Sequence, residues 1–244
     1  MSPPRVPTIR TMRKTVPTRT TGMPNDPDLS HPKLAAADQW AAKRLGGSAH
    51  ERRVASIAAT LFDLTAPLHG LTSTADRRLL QVAALAHDVG RSAGKEGHPV
   101  SGAAMVLSDE SLPLAAAERR AVAYLTLHHR GAVPAEGSDD VLHHGEDDAG
   151  RLLKLLALLR AADALDNRTL ESPQLVFALL PGPARAGAAA AARPRLRVTC
   201  YLQADSAKAR RVYERRKKFR LLEDVLGCRV EVEIVQARAL RMVA

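Results

Sequence analysis

Aromatic residues are scarce in this 244-residue chain: one Trp, three Tyr and three Phe make up 3% of it. With so few rings, Ala, Leu and Val must fill the core, and that composition predicts packed helices over a sandwich. It also leaves little with which to stack nucleobases. Cysteine is nearly missing. Cys200 and Cys228 have no close-spaced partners of the kind that zinc ribbons or disulfide scaffolds use, and they fit a reducing cytoplasm. Both lie in alternating apolar stretches and read as buried small hydrophobes. No apolar run reaches the ~20 residues that span a bilayer, and the N-terminus lacks the apolar core of a secretory signal. A soluble, cytoplasmic protein with no membrane contact is expected. Acids are outnumbered: 36 Lys and Arg face 26 Asp and Glu, for a formal net charge of +10. This excess asks for a polyanionic partner or a solvated basic tail. Charge alone does not choose between nucleic acid, polyphosphate and an anionic membrane surface, and the sequence leaves a homodimer open.

The pattern along the chain predicts a mainly α fold with a small α+β C-terminal appendage. Residues 1–30 combine six prolines with Arg5, Arg10, Arg13, Lys14 and Arg19 and show no apolar period, so they read as a disordered basic tail. A helical domain is expected over 31–170, with helices near 33–45, 49–65, 75–89, 99–108, 115–129 and 148–166. Ser48 and Glu51 form a capping-box pattern, and Ser73 or Thr74 can cap the third helix. The polar stretch from Gly131 to Gly150 reads as a surface loop. A subdomain is expected over 171–244: an apolar run at Leu175–Leu180, a Pro, Gly and Ala linker over 181–194, then period-two alternation. Leu196, Val198 and Cys200, and later Val230, Val232 and Ile234, carry that alternation, with a basic helix near 206–226 between them.

The chemistry begins at His87-Asp88, which closes an apolar helical run just before Gly90. At a helix C-terminus both side chains can converge on an ion in front of the helix, although a lone His-Asp pair is far more often a hydrogen-bonded couple. Further donors are His50, near the start of one helix, and Asp163, late in another. Asp163 lies in a strongly apolar helical face, and a buried carboxylate costs several kcal/mol unless it is paired or coordinates a metal. The alternative is a salt bridge to Arg160 or Arg53.

His50, His87-Asp88 and Asp163 together resemble the H…HD…D pattern of the HD metal-dependent phosphohydrolase superfamily. More closely, the chain is similar to the C-terminal HD region of exopolyphosphatase/guanosine pentaphosphate phosphatase proteins. The stretches that carry the similarity begin at His50-Glu51-Arg52-Arg53, Ala83-Ala84-Leu85-Ala86-His87-Asp88, Ala123-Tyr124-Leu125 and Leu158-Leu159-Arg160-Ala161-Ala162-Asp163. In that family the phosphatase chemistry is credited to actin-like domains that precede this region and are not found in these residues, so the activity does not carry over with the resemblance. All four metal donors are intact, which implies a retained metal.

His98-Pro99, followed by Gly102, resembles the extra ligand of two-metal HD proteins, and His128-His129 resembles their histidine doublet; of the doublet we take His128 as the ligand. A cap-region role remains open for His98, while His69, His143 and His144 read as surface residues. Imidazole and carboxylate donors with open positions suit Mn, Fe, Zn, Co or Ni, one or two per chain. With two ions, Asp88 is the expected bridging and catalytic residue. Arg53, Arg91, Lys95 and Arg130 flank the donors and are candidates to bind substrate phosphate, each with a solvated surface charge as the alternative. Lys208, Arg210, Arg211, Arg215, Arg216, Lys217, Lys218 and Arg220 crowd the C-terminal helix, either as a polyanion groove or as an ordinary basic face. The expected function is a metal-dependent phosphohydrolase acting on a phosphoanhydride or phosphoester such as polyphosphate or a nucleotide. The rival is a non-catalytic polyphosphate- or nucleotide-binding module.

Overall fold

The computed structural model describes residues 18–22, 27–133, 145–182, 192–203 and 207–236. His143, His144, the first seventeen residues and most of the expected linker lie outside them. The helical unit contains α1 (Pro32–Leu45), α2 (Ala49–His69), α3 (Thr74–Ala86), α4 (His98–Ser108), α5 (Ala116–His128) and α6 (Gly145–Ala164). Its ends follow from local chemistry. The His31 ring accepts from the Lys33 amide ahead of Pro32, Ser73 accepts from the Ala75 amide, and Gly46 and Gly70 close α1 and α2 in the left-handed region that favours glycine.

Two local expectations are corrected. Ser48 does not build a capping box, because its hydroxyl donates to the buried Asp38 carboxylate at 2.7 Å while Glu51 turns into the interior. His69 is not a surface residue. Helix α2 runs a full turn past the expected end, and the His69 ring is buried there against Phe62. Its Nδ1 accepts from the Leu71 amide at 2.9 Å, so its Nε2 carries the proton it donates to the Phe62 carbonyl at 2.8 Å. Burial lowers its pKa, consistent with a neutral ring that ties down the helix end.

The appendage is a four-stranded sheet, ordered β1 (Arg19–Gly22), β2 (Gln174–Leu180), β3 (Arg195–Leu202) and β4 (Arg229–Gln236). β1 and β3 flank β2 antiparallel, and β4 runs parallel to β3. That parallel step needs a crossover, which α7 (Ala207–Tyr213) and α8 (Arg220–Leu226) supply. The expected continuous basic helix is therefore two short helices, broken by a 3-10 turn at Arg216–Lys218. β1 is a second correction to the organisation, since it lies inside the stretch read as a disordered tail. One face of the sheet is apolar: Phe177 pairs with Val198, Leu175 with Cys200 and Cys200 with Ile234, all continuous with the core of the helical unit. Cys200 and Cys228 are free and buried, and burial pushes their thiols up to about 12 and about 11. Among the described residues no helix is long and apolar enough to cross a membrane.

Between α3 and α4 the chain makes a 3-10 turn, Val89–Ala93, in which Gly90 is buried. A Cβ at Gly90 would overlap the His98 carbonyl oxygen and lie 2.5 Å from the Gly102 amide nitrogen. Glycine here is a spacing requirement, because it lets α4 approach the end of α3. Gly150, in α6, has open space around its Cα. Gly90→Ala is expected to destabilise by ~1–3 kcal/mol through overpacking, and Gly150→Ala to stabilise by up to ~1 kcal/mol through helix propensity. Urea denaturation of both variants checks this; equal effects would contradict the close packing at Gly90.

Candidate metal centre

The ends of five helices converge on one buried point. His50 comes from the first turn of α2, His87 and Asp88 follow the last residue of α3, His98 opens α4, and Asp163 lies in the last turn of α6. His129 caps the C-terminus of α5. His87, Asp88, His98 and His129 are all buried. The rings form a continuous arc, with centroid separations of 5.4 Å for His50–His87, 5.1 Å for His87–His129 and 5.3 Å for His98–His129.

Within the arc the donors fall into two groups: His50, His87 and Asp163, then Asp88, His98 and His129. In the first group, Asp163 Oδ1 lies 3.5 Å from His50 Nε2 and 3.6 Å from His87 Nε2. In the second, Asp88 Oδ1 lies 3.1 Å from His98 Nε2 and 3.4 Å from His129 Nε2. Donors each ~2.1 Å from a shared ion stand ~3–4 Å apart, so both groups have the spacing of a coordination shell.

Each ring is aimed by its other nitrogen. His87 Nδ1 donates to the Ala84 carbonyl at 2.7 Å, His98 Nδ1 to Lys95 at 2.8 Å and His129 Nδ1 to Thr126 at 2.6 Å, while His50 Nδ1 donates to Asp166 Oδ2 at 2.7 Å. With Nδ1 protonated, the lone pair of a neutral ring is on Nε2, directed inward. The Nε2 atoms of all four rings, and Asp88 Oδ1, are buried with no hydrogen-bond partner. Unpartnered buried polar atoms are costly, and a cation in each group would satisfy those of that group. The residues present fit a divalent ion.

The titration of these groups reflects the same crowding. For His50, burial opposes the charged ring, but the Asp163 and Asp166 carboxylates outweigh it and push the pKa up to about 9. His87 is likewise raised against burial by Asp163 and Asp88. Asp163 and Asp88 are held low despite burial, Asp163 by His50 and His87 and Asp88 by His129 and His87. His129 is lowered, because burial prevails over Asp88. His50 and His87 thus answer the Asp163 carboxylate by holding protons, whereas burial works against the charged form of His129.

His50, His87, Asp88, His98 and Asp163 are thus brought together, and His128 is not. The His128 ring packs against Tyr124 at 4.7 Å between centroids, outside the arc. His129 is buried and His128 half-buried, but spacing does not tell them apart: Val122, Leu125 and Thr126 precede the one and Ala121, Tyr124 and Leu125 the other at helical intervals, and all of these are buried. Arg53 does not face the donors either. Its guanidinium donates to Asp166 Oδ1 at 3.0 Å and to the Pro173 carbonyl, and so holds Asp166 behind His50. Asp163 is not the partner of Arg160, which donates to the His128 carbonyl at 2.7 Å.

Arg91, Lys95 and Arg130 do gather at the mouth. With Lys218 they line a pocket of about 260 Å³ over His50 and Asp163. A larger cleft of about 860 Å³ opens beside it, walled by Arg130 and Arg160 on one side and Arg215, Lys217, Lys218 and Arg220 on the other. Lys218 borders both cavities. Burial lowers its ammonium pKa while Asp163 pulls it up. Nothing local in the sequence ties Lys218 to Asp163; the crossover of the sheet carries it there. Asp166 and Arg168 were also missed as parts of the centre.

A family model for Ppx/GppA phosphatase, domain III, matches residues 47–178, from just before α2 into β2. No curated protein matches the chain. His129→Ala is expected to lower the divalent metal retained by purified protein, and His128→Ala to leave it unchanged, as measured by elemental analysis after dialysis. The reverse order would reinstate His128.

Proposed function

The chain belongs to the Ppx/GppA phosphatase domain III family, and from that premise we propose that it is a metal-dependent phosphohydrolase acting on a phosphoanhydride or phosphoester such as polyphosphate or a nucleotide. The observation that carries this reading is the set of buried, unpartnered Nε2 atoms around Asp88 and Asp163 at the foot of a cation-lined cleft. Residues 31–170 are then an HD-type helical domain, with 171–244 as the subdomain that supplies the far wall of the cleft.

His50, His87, Asp88, Asp163, His98 and His129 would hold Mn, Fe, Zn, Co or Ni, since imidazole with carboxylate suits these ions and no thiolate is near. A divalent ion bound there supplies Lewis acidity, acidifying water at neutral pH and stabilising charge on a phosphoryl oxygen. The chain's own residues do the rest. Arg130, Lys95 and Arg91 offer phosphate ligands within one small pocket, and Asp166, itself held by Arg53, keeps His50 in the orientation that presents Nε2. Low aromatic content fits a phosphate chain better than stacked bases.

The second reading, a polyphosphate- or nucleotide-binding module without turnover, is favoured by the cleft alone, whose cations continue along Arg215, Lys217 and Arg220 away from the donors. Phosphate release from polyphosphate, (p)ppGpp and nucleotides, measured with each divalent metal, separates the two. The enzyme reading expects metal-dependent release that Asp88→Ala reduces by roughly 100-fold or more, as loss of a charged ligand does. Tight polyphosphate binding with no release under any metal would favour the module. Neutralising Arg215, Lys217 and Lys218 together is expected to weaken polyphosphate binding and to flatten log K against log salt by about 2, at ~0.7 per lost phosphate contact. Fluorescence titration at several salt concentrations checks this, and an unchanged slope would make these residues a solvated surface.

A further inference from the structure

Asp88 presents its two oxygens to different neighbours. Oδ1 faces His98 and His129 and has no hydrogen-bond partner. Oδ2 accepts from Arg168, whose Nε and Nη2 lie 3.2 and 3.1 Å away, and Arg91 Nε is 3.6 Å from the same oxygen. Arg168 is itself anchored from behind, because its Nη2 also donates to Glu51, a carboxylate with no exposure to solvent. Glu51 and Asp88 therefore hold one guanidinium between them at the edge of the metal centre. The Arg168 side chain is 32% exposed and borders the pocket that contains Arg91, Lys95, Arg130 and Lys218.

The two donor groups differ in what this does to them. In the group of His50, His87 and Asp163, the coordinating carboxylate has, among the described residues, one Arg or Lys within ion-pair distance, Arg130, 3.5 Å away on a side chain that is 47% exposed, with Lys218 farther off across the pocket. Solvent weakens that contact. Its His50 ring is also backed by a carboxylate, Asp166, although Arg53 shares Asp166. In the group of Asp88, His98 and His129, the only carboxylate accepts two N–H bonds from Arg168, and both rings are backed by neutral carbonyls. A guanidinium hydrogen-bonded to a ligand oxygen withdraws its charge and occupies its lone pairs.

Resting on the metal-centre reading above, we propose that Arg168 competes with a divalent cation for Asp88, so that the position formed by Asp88, His98 and His129 is the weaker of two. Arg168 thereby sets how unequally the ions are held. While Arg168 occupies Oδ2, Asp88 has only Oδ1 to offer and does not bridge. Filling the second position draws Asp88 away from Arg168 and leaves a guanidinium, still held by Glu51, facing the pocket that takes the phosphate.

The test is a titration of the 244-residue chain with Mn²⁺, with free ion read from its electron paramagnetic resonance signal and folding checked by circular dichroism. Wild type is expected to bind one ion tightly and a second at least about tenfold more weakly. Arg168→Met is expected to tighten the second ion at least about tenfold and to change the first by less than about threefold. Arg168→Lys, which keeps the charge but loses the paired N–H donors, is expected to fall between them, and serves if the Met variant does not fold. A folded variant whose second ion is bound as in wild type, or in which both ions tighten equally, would overturn the role of Arg168 while leaving the metal centre standing. Wild type that binds no ion at all would overturn the metal-centre reading and this inference with it.

Discussion

Asp88 and the Nε2 atoms of His50, His87, His98 and His129 are buried at one point, with too few protons among them to pair every acceptor. A carboxylate in that position is tolerated only if cations or hydrogen bonds surround it, and much of the helical unit is arranged to supply them. Two rings, His87 and His129, are pinned through Nδ1 by carbonyls in the last turn of a helix, where carbonyls lack helical partners, and His98 by the Lys95 carbonyl in the loop before α4. The unsatisfied backbone at those ends is thus used to aim side chains. The close approach at Gly90 serves the same end by bringing His98 of α4 up to Asp88.

Around this point the charges form layers. The innermost are Asp88 and Asp163; Arg168 lies between Asp88 and Glu51, while Asp166, behind His50, is held by Arg53. Arg91, Lys95, Arg130 and Lys218 come last and face the open pocket. Inner carboxylates suit a metal and outer cations suit a phosphate, so a phosphorylated ligand entering the cleft meets its counter-charges before it reaches the donors. The C-terminal unit contributes to the outer layer alone, through the turn at Arg216–Lys218 that interrupts its basic segment.

Much of this was legible in the chain. The helical periods placed α1 to α6 within a few residues, because each buries an apolar stripe that only a 3.6-residue repeat produces. Period-two alternation marked β3 and β4 for the same reason at a different spacing. The misses have local physical causes. Ser48 found the buried Asp38 carboxylate, a stronger acceptor for its hydroxyl than any role it had at the helix end. His69 found two backbone partners and Phe62, so a residue type that is commonly exposed became a buried tie. β1 has no apolar alternation of its own and forms by pairing with the edge of β2.

The sequence by itself determined that the chain is mainly helical with an α+β end, and that His50, His87, Asp88 and Asp163 are candidate donors, since helix periodicity, burial cost and motif spacing are local properties. Only the tertiary structure decided which member of the histidine doublet turns inward, which arginines support acids and which face the cleft, and that Lys218 borders both pockets. Those choices depend on which oxygens remain unpaired once the helices and the sheet crossover are packed, and no stretch of sequence contains both partners of such a contact.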